Sequence, residues 1–439
     1  MNNERTVFSQ ILDFIPKHQF RTCVNRYNGS YRVKSFSCFD QYLTMAFAQL
    51  TYRESLRDIE TCLRALHPKL YRCGFRGHVS RNNLANANEK RNSRIYRDFA
   101  HIVIQKARQL YADEDFGVTL ANTVYALDAT VIDLCLSLFP WAQFRTHKSA
   151  VKLHTLMDLK GAIPTFIRIT SGSVHETTVF RDMPLEPSAI YVMDKGYTDF
   201  TTLYNFSKSH CFFVIRAKKN LAYYRKCSQP VDKSTGLRSD QTIKLTGPKT
   251  STLYPIPLRR ITFRDDDQNR TFVFLTNNFQ LDALTICQLY KLRWQIELFF
   301  KWIKQHLRIK SFFGTSINAV KTQVWIAISV YVLVAIIKKE LKLERSLHEI
   351  LQIIGILLFE KTPLKQALTG NHYVFKEQQS YNQLSLCWIS PIWRHLDPWG
   401  YWGLFSVRRW CCGYVRFTVF LSKQKSSWHF LAASIVWRR

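Results

Sequence analysis

Hydrophobic positions recur at two different spacings along the chain, and the change between them divides it into regions. Up to about Tyr111, apolar residues recur at three- and four-residue steps, as in FDQYLTMAFAQL and SLRDIETCLRAL, which predicts amphipathic helices. From about Asn122, short apolar runs separated by polar turns predict β-strands in NTVYALDATVIDL, VKLHTLMDLKG and IPTFIRIT. Three strands in succession predict a meander.

Helices then alternate with further strands. HETTVFRDMP indicates a helical or irregular stretch, AIYVMDKGY predicts a strand that ends in Asp194, and HCFFVIRAKK predicts a fifth strand after a short helix. The predicted elements thus follow the order of an RNase H-like core: three strands, a helix, a strand, a helix and a strand. Between about Asn220 and Asn278, three more strand patterns (QTIKLTG, TLYPIPLRRITFRD and NRTFVFLTNN) predict an antiparallel insertion. The predicted class is therefore α/β: an RNase H-like mixed sheet with helices, interrupted by a β-rich insertion and preceded by a mostly helical N-terminal domain.

Helical spacing returns near the C-terminal side of the insertion. It runs from Ala283 through about Ile309, and further helices are predicted over Val324–Lys339 and Leu347–Phe359. The most apolar run, Val324–Ile337, is shorter than the roughly 20 residues that cross a bilayer. It therefore predicts a buried core helix.

The charge of the chain points to a large polyanionic partner. Lys and Arg number 62 against 32 Asp and Glu, a formal net charge of +30. Small basic housekeeping proteins are usually poor in aromatic residues, whereas this chain has 31 Phe and 20 Tyr. Nucleic acid is the partner that this composition favours.

One basic segment of the helical region has the chemistry that holds phosphates and contacts base edges. GFRGHVSRNNLANANEKRNSRIYRDF combines Asn and Ser donors with six cations, Arg76, Arg81, Lys90, Arg91, Arg94 and Arg97. A solvated basic helix face is the alternative.

Two carboxylates lie at strand positions where a charge is costly to bury without compensation. Asp128 lies within an apolar strand, and Asp194 lies at the end of another. If the strands are neighbours, the two carboxylates converge, and oxygen ligands of this kind hold Mg²⁺. Each Asp could instead cap a turn, and Asp133, five residues after Asp128, is the alternative first acid.

Three other polar residues lie near the predicted core strands. His154, Asp158 and His175 could support such a site or bind metal. Structural roles, as hydrogen-bonded core histidines and a turn aspartate, are the alternative.

A third carboxylate lies in CQLYKLRWQIELFFKWIKQHLRIKSF. On an unbroken helix, the spacings of three, four and seven place four polar residues within an arc of about 60°. These residues are Tyr290, Arg293, Glu297 and Lys304. The opposite side is apolar and suited to packing on a core: Leu292, Ile296, Phe299, Phe300 and Ile303. An ordinary amphipathic helix with an exposed Arg293–Glu297 pair is the alternative.

Taken together, these motifs resemble the bacterial DDE transposases of the insertion-sequence-4 family, over about residues 5 to 370. Tyr290-x2-Arg293-x3-Glu297-x6-Lys304 matches the family signature around the third catalytic acid. LDAT with Asp128 and MDKGY with Asp194 are similar to its first and second acidic motifs, and the β-rich insertion is similar to the family's insertion.

The resemblance implies a role for each of these residues. Asp128, Asp194 and Glu297 would be the catalytic acids that hold two divalent metal ions, Mg²⁺ or Mn²⁺. Contacts to the transposon end would come from Tyr290, Arg293 and Lys304. Trp294 is the candidate for stacking on a flipped base, and Trp302 could take that role or pack in the core.

The implied function is that of a DNA transposase. It would bind the terminal inverted repeats of an insertion sequence and carry out metal-dependent strand cleavage and strand transfer, by cut and paste through hairpin ends. Its partner would be double-stranded DNA, at transposon ends and target, with a homodimer in the complex and no membrane. The absence of an apolar signal in MNNERTVFSQ and of zinc-type cysteine spacing favours the bacterial cytoplasm, in association with the nucleoid. The alternative is a DNA-binding regulator without catalysis or a decayed transposase copy.

Five regions follow from these patterns. They are a DNA-binding helical domain (1–115), the catalytic core in two parts (116–219 and 281–370), the insertion (220–280) and a Trp-rich tail (371–439). From Cys387 onward the tail has seven of the eleven Trp and almost no acids. We take it to arise by frameshift or readthrough, with an aromatic DNA-binding extension as the alternative.

Overall fold

The helical pattern of the N-terminal region is confirmed in the computed structural model. The structure describes residues 5–146, 148–266, 269–306 and 312–369, together with the backbone of 414–424 and 427–438. The first helices are α1 (Val7–Ile11), α2 (Lys17–Arg26), α3 (Cys38–Leu50), α4 (Leu56–Ala65), α5 (His67–Leu70), α6 (Arg81–Lys90) and α7 (Arg94–Leu110). Helix α3 begins at a capping box, in which the Ser37 hydroxyl accepts from the Asp40 N–H and the Asp40 carboxylate accepts from the Ser37 N–H.

The central sheet has the predicted meander followed by parallel strands. Its core strands are β1 (Val124–Leu134), β3 (Lys148–Asp158), β4 (Ile163–Ser171), β5 (Ile190–Met193) and β6 (Phe212–Arg216), with the short β2 (Gln143–Arg145) beside β3. β3 pairs antiparallel with β1 and β4, whereas β5 is parallel to both β1 and β6. The order β4-β3-β1-β5-β6, with α8 (Glu176–Arg181) and α9 (Phe200–Lys208) in the connections, is that of the RNase H-like fold.

The predicted insertion is also a set of antiparallel strands, and it continues the core sheet. It contains β7 (Tyr223–Gln229), β8 (Leu237–Leu245), α10 (Pro248–Leu253), β9 (Leu258–Asp265) and β10 (Arg270–Thr276). β10 pairs antiparallel with β6, so the sheet runs without interruption from the core into the insertion. The sequence pattern missed β7 because this edge strand is largely exposed and lacks apolar alternation.

One long helix forms the centre of the apolar core. The helices that follow the insertion are α11 (Ala283–Leu292), α12 (Trp294–His306), α13 (Ile317–Glu340), α14 (Leu347–Leu357) and α15 (Leu364–Thr369). Among the described residues, α13 is the one helix long and apolar enough to cross a membrane, and 94% of its most apolar window is buried inside the protein. A helix that is apolar on all sides suits such a core position, and α13 packs against α3, α7, α14 and β4.

The two strands in the described part of the tail belong to a second unit of the chain. In its described part, β11 (Tyr414–Gln424) pairs antiparallel with β12 (Ser427–Arg438), with Tyr414 opposite Arg438. The rest of the Trp-rich tail lies outside the described residues, so both interpretations of it stay predictions.

A buried ion pair ties the insertion to the chain that leads into α11. The guanidinium of Arg259 on β9 donates to both carboxylate oxygens of Asp240 on β8, from Nε at 3.0 Å and from Nη2 at 2.7 Å. It also donates to the carbonyl oxygens of Asn278 and Leu281. Both charged side chains are less than a tenth exposed, at 9% and 6%. Removing one partner therefore leaves the other charge buried without compensation.

We expect Arg259→Met to lower the free energy of unfolding by about 3–5 kcal/mol, because the Asp240 carboxylate stays buried. The double variant Arg259→Met/Asp240→Leu should recover most of this loss. The matched control is Arg264→Met on the same strand, since the Arg264–Asp266 pair is exposed and should change stability by less than about 0.5 kcal/mol. Urea unfolding followed by circular dichroism measures all three, and equal losses for Arg259→Met and Arg264→Met would contradict the prediction.

Candidate active site

The first two acids lie side by side, Asp128 within β1 and Asp194 directly after the end of the neighbouring parallel strand β5. Leu127 on β1 is opposite Met193, the last residue of β5. Asp128 and Asp194 each follow by one residue, so they emerge next to each other at about one strand spacing, roughly 4.8 Å. The sequence-based prediction that the two carboxylates converge is therefore consistent with the register.

The helix that carries the third acid is broken. An uninterrupted helix from Ala283 onward was predicted, but α11 ends at Leu292 and α12 begins at Trp294. At the junction the Arg293 N–H donates to the Tyr290 carbonyl, three residues back, at 3.2 Å. Arg293 keeps helical dihedral angles (φ −52°, ψ −24°), so the interruption is one residue long. Tyr290, Arg293 and Glu297 still lie on the side of the helix that contacts Asp128 and Asp194.

The guanidinium of Arg293 connects the first acid to the third. Its Nη1 donates to Oδ2 of Asp128 at 2.8 Å, and its Nη2 donates to Oε1 of Glu297 at 2.5 Å. The Arg293 side chain is only 13% exposed, and its buried Nε has no acceptor among the described residues. This arrangement differs from an exposed i,i+4 pair, because it joins a helix to a strand in a partly desolvated site.

The second acid is held by the phenol of Tyr290. The Tyr290 hydroxyl donates to Oδ1 of Asp194 at 3.1 Å. Its ring packs in the core against Phe274 of β10, with the ring centroids 4.6 Å apart. Burial, more than the nearby Asp194 charge, raises the pKa of Tyr290 to about 12. The phenol therefore stays protonated at neutral pH and acts as a donor to the carboxylate.

The site has an excess of negative charge around its first acid. Burial, with smaller contributions from the negative charges of Glu297 and Asp194, raises the pKa of Asp128 to about 6, although Arg293 and the Ala129 N–H oppose this shift. One guanidinium thus compensates the clustered carboxylates incompletely. A site of this kind gains from additional positive charge.

The carboxylate oxygens of the site are suitable ligands for a hard divalent cation, although the described side chains do not form a complete metal-binding cluster. In the described part of the chain, no three Asp, Glu, His or Cys side chains converge closely enough to hold one metal ion. The cation between Asp128 and Glu297 is the guanidinium of Arg293. Carboxylate oxygens are nevertheless the ligands that Mg²⁺ and Mn²⁺ prefer, and one guanidinium beside Asp128, Asp194 and Glu297 leaves a net negative charge.

The remaining predicted residues of the helix differ in exposure. Trp294 is 59% exposed, next to the Arg293 turn, whereas Trp302 is buried and packs on Tyr331 of α13 with the ring centroids 4.9 Å apart. Lys304 is exposed, ten residues beyond Trp294 on α12. The apolar back of α12 is buried as predicted, at Ile296, Phe299, Phe300 and Ile303.

Of the four alternative site residues, three have structural partners and one is exposed on the surface. Asp133 is exposed on β1. His154 is buried, with Nε2 at 3.1 Å from Oγ1 of Thr170, and Asp158 pairs with Arg108. His175 caps α8 by accepting from the Thr177 N–H.

Sequence reasoning missed Tyr197, three residues after Asp194. Its hydroxyl is buried and has no hydrogen-bond partner among the described residues. Burial first, and then the charges of Asp128 and Glu176, raise the pKa of this phenol above its ordinary range. The tyrosine in MDKGY was the available signal, but a tyrosine after a turn more often packs in a core.

The cations of the basic N-terminal segment divide into two groups. Arg91 donates to the Ser37 carbonyl and to Gln41, and Arg76 donates to the carbonyls of Tyr71 and Phe75. These two stabilise the fold. Lys90 and Arg94 are exposed, so a phosphate-binding role and a solvated face both remain open for them.

Two family models match the chain. Residues 120–333, from just before β1 into α13, match a model described as a transposase DDE domain. All five residues of the Asp128–Asp194–Tyr290–Arg293–Glu297 cluster lie within this match. Residues 3–76 match a model described as a domain of unknown function, DUF4372.

Curated relatives are described as transposases of bacteria. The chain is 34% identical over 239 residues to transposase y4zB of Sinorhizobium fredii (strain NBRC 101917 / NGR234), covering 54% of this chain and 66% of that protein. It is 30% identical over 209 residues to the transposase for insertion sequence element IS5377 of Geobacillus stearothermophilus, covering 47% and 54%. It is 24% identical over 305 residues to the transposase for insertion sequence element IS4SA of Synechocystis sp. (strain ATCC 27184 / PCC 6803 / Kazusa), covering 67% and 82%. The chain thus spans about half to two thirds of the length of the first two relatives.

The raised pKa of Asp128 predicts a pH dependence of stability. Because the folded carboxyl binds its proton more tightly than the unfolded one, whose pKa is 3.8, its contribution is fully present below about pH 4 and is lost as pH rises through about 6. The loss is on the order of 3 kcal/mol. Urea unfolding in EDTA should show this component in the wild type and in Asp133→Asn, and not in Asp128→Asn. A profile for Asp128→Asn that superimposes on the wild type would count against the assigned environment.

Proposed function

Because the chain belongs to the bacterial transposases that carry a DDE domain, we propose that it is a catalytically active DNA transposase. It binds the terminal inverted repeats of an insertion sequence, cleaves the DNA strands there and transfers the free ends to target DNA. The observation that carries this proposal is the Arg293 guanidinium held jointly by Asp128 and Glu297, with Asp194 beside Asp128. Two neighbouring strands and one helix of an RNase H-like fold thus carry the three acids to the surroundings of Arg293.

Asp128, Asp194 and Glu297 are the residues that would hold two divalent metal ions, Mg²⁺ or Mn²⁺. When bound, such ions supply a water made nucleophilic near neutral pH and stabilise the charge of the leaving 3′ oxygen. The protein orients the carboxylates for this task. Tyr290 fixes one oxygen of Asp194, and the Ala129 N–H fixes Oδ1 of Asp128 at 2.8 Å.

Arg293 and Lys304 are the proposed contacts to the phosphates of the transposon end. A guanidinium offers a two-pronged donor to phosphate oxygens, while the lysine acts as a compact charge. Arg293 is already oriented beside the acids, and its buried Nε has no acceptor among the described residues. Lys304 is exposed on the same helix as Glu297, where DNA that enters the site can reach it.

Trp294 is the proposed stacking residue for a base that leaves the duplex near the cleavage site. Its ring is 59% exposed, and Leu298, one turn later, is 50% exposed. Together they form an apolar surface beside Glu297 that no described residue covers. The spacing of Tyr290, Arg293, Glu297 and Lys304 supports assignment to the insertion-sequence-4 family. From that assignment we propose cut-and-paste transfer through hairpin ends by a homodimer, in the bacterial cytoplasm and associated with the nucleoid.

Conservative changes of the acids test the proposal. We expect Asp128→Asn, Asp194→Asn and Glu297→Gln each to reduce strand cleavage of a terminal-repeat duplex at least about a hundredfold, because each removes a charged ligand. Binding of that duplex should change much less. Cleavage is measured on labelled DNA with Mg²⁺ or Mn²⁺, and binding by fluorescence anisotropy.

Asp133→Asn is the matched control, since Asp133 is an exposed aspartate on the same strand as Asp128. It should cleave as the wild type does. Full cleavage by Glu297→Gln would refute the acid assignment, and a wild type that binds the repeat without cleaving it would favour a DNA-binding regulator or a decayed copy.

The two tryptophans of α12 should respond in opposite ways. Trp294→Ala removes an exposed ring, so stability should change by less than about 0.5 kcal/mol while hairpin formation at the transposon end falls. Trp302→Ala opens a cavity against Tyr331 and should cost about 3–5 kcal/mol. Thermal unfolding and gel analysis of end products separate the effects, and unchanged hairpin yield in Trp294→Ala would reject the stacking role.

A further inference from the structure

A cleft of about 720 Å³ lies away from the three acids, where the helical region meets the edge of the sheet. Its walls come from three places in the chain: the α6–α7 connection, the middle of β4 and the first turns of α13. The connection between α6 and α7 falls between the two family matches, which end at residue 76 and begin at residue 120. Neither match therefore accounts for this wall.

The charge of the cleft has one sign. Five cations line it, Lys90, Arg94, Arg97, Arg168 and Lys321, and no carboxylate does. Arg97 pairs with Asp98, and Arg168 pairs with Asp182. For Lys90, Arg94 and Lys321, no ion pair is formed within the described part of the chain. Three positive charges from three helices, α6, α7 and α13, thus line one space without an ion-pair partner among the described residues.

The walls of the cleft are held together by hydrogen bonds. Oδ1 of Asn318 accepts from the Ser93 N–H at 3.0 Å, and its Nδ2 donates to the Arg91 carbonyl at 2.6 Å. This side chain fixes the start of α13 against the start of α7. Arg94 and Lys321 are therefore brought together by the fold and do not depend on a bound partner for their proximity.

The strand register gives the position of the cleft relative to the acids. Ile167, which lines the cleft, is opposite Thr155, and Thr155 is opposite Asp128. Directly opposed residues share a face of the sheet, and two strand spacings amount to about 10 Å. Along one DNA strand this distance corresponds to about three nucleotides.

We propose that this cleft binds the sugar–phosphate backbone of duplex DNA a few nucleotides from the scissile phosphate, through Lys90, Arg94 and Lys321. The inference rests on the proposed function for the identity of the polyanion. Contacts of this kind position DNA without selecting its sequence. The cleft thereby sets the path of the duplex, while the acids and α12 contact the transposon end itself.

The test compares two triple variants with the same change of charge. The cleft variant is Lys90→Gln/Arg94→Gln/Lys321→Gln, and the control is Lys249→Gln/Lys361→Gln/Lys365→Gln at exposed sites outside the cleft. The probe is a random-sequence duplex, titrated by anisotropy over a series of salt concentrations. Because each lost phosphate contact lowers the slope of log K against log salt by about 0.9, the cleft variant should lose about 3 in slope, and the control much less. Thermal unfolding verifies that both variants are folded.

Equal slopes for the cleft variant and the wild type, or equal losses in both variants, would overturn the proposal. The wild type could instead bind a structured RNA more tightly than the duplex, and the cleft variant could lose that preference. This result would assign the cleft to RNA and would also overturn the proposal. Ethylation interference on a terminal-repeat duplex should further show phosphates whose modification inhibits the wild type and not the cleft variant. The titration does not require cleavage. A wild type that fails to cleave therefore refutes the proposed function, while the salt slopes still decide on the cleft.

Discussion

The candidate site depends on one guanidinium that separates two carboxylates. Asp128 and Glu297 belong to elements distant in sequence, and their charges repel at short range. The Arg293 guanidinium donates to both carboxylates. Its side chain is only 13% exposed, so solvent screens these interactions little. The pKa of Asp128 is still raised to about 6, mainly by burial and to a smaller extent by the charges of Glu297 and Asp194. Three carboxylates beside one guanidinium leave a net negative charge, and carboxylate oxygens are ligands that hard divalent cations prefer.

The rest of the fold keeps these charges in place. The parallel pairing of β1 with β5 sets Asp128 beside Asp194. Helix α12 is anchored on its other side by buried aromatic contacts with α13, which also packs on the N-terminal helices. Through the ring of Tyr290, which packs on Phe274, the insertion supports the donor that holds Asp194. The insertion is thus connected to the site through packing as well as through the continuous sheet.

Periodicity predicted the parts of the fold that bury one apolar face. Local spacing predicted the meander, the two strands that follow it and the apolar back of α12. The order of these elements along the chain predicted the RNase H-like fold. The one-residue interruption of the helix at Arg293 could not be predicted in this way, because no Pro or Gly marks it. Strand β7 was missed because an exposed edge strand lacks alternation. Trp294 is exposed and Trp302 is buried. The sequence could not distinguish them, because the difference depends on how α12 packs in the folded protein.

A protein that cuts DNA must bring a polyanion to a cluster of carboxylates, and the two repel each other. A net charge of +30 offsets this repulsion only if cations lie where the backbone runs. Many of the arginines do not serve this purpose, since Arg91, Arg108 and Arg259 are engaged by carbonyls or carboxylates within the fold. The sequence total therefore overstates the charge available to DNA. The cations available to DNA are the smaller set without an intramolecular ion pair. In the described part of the chain, three of them, Lys90, Arg94 and Lys321, line the cleft between α6, α7, β4 and α13, on the same face of the sheet as Asp128.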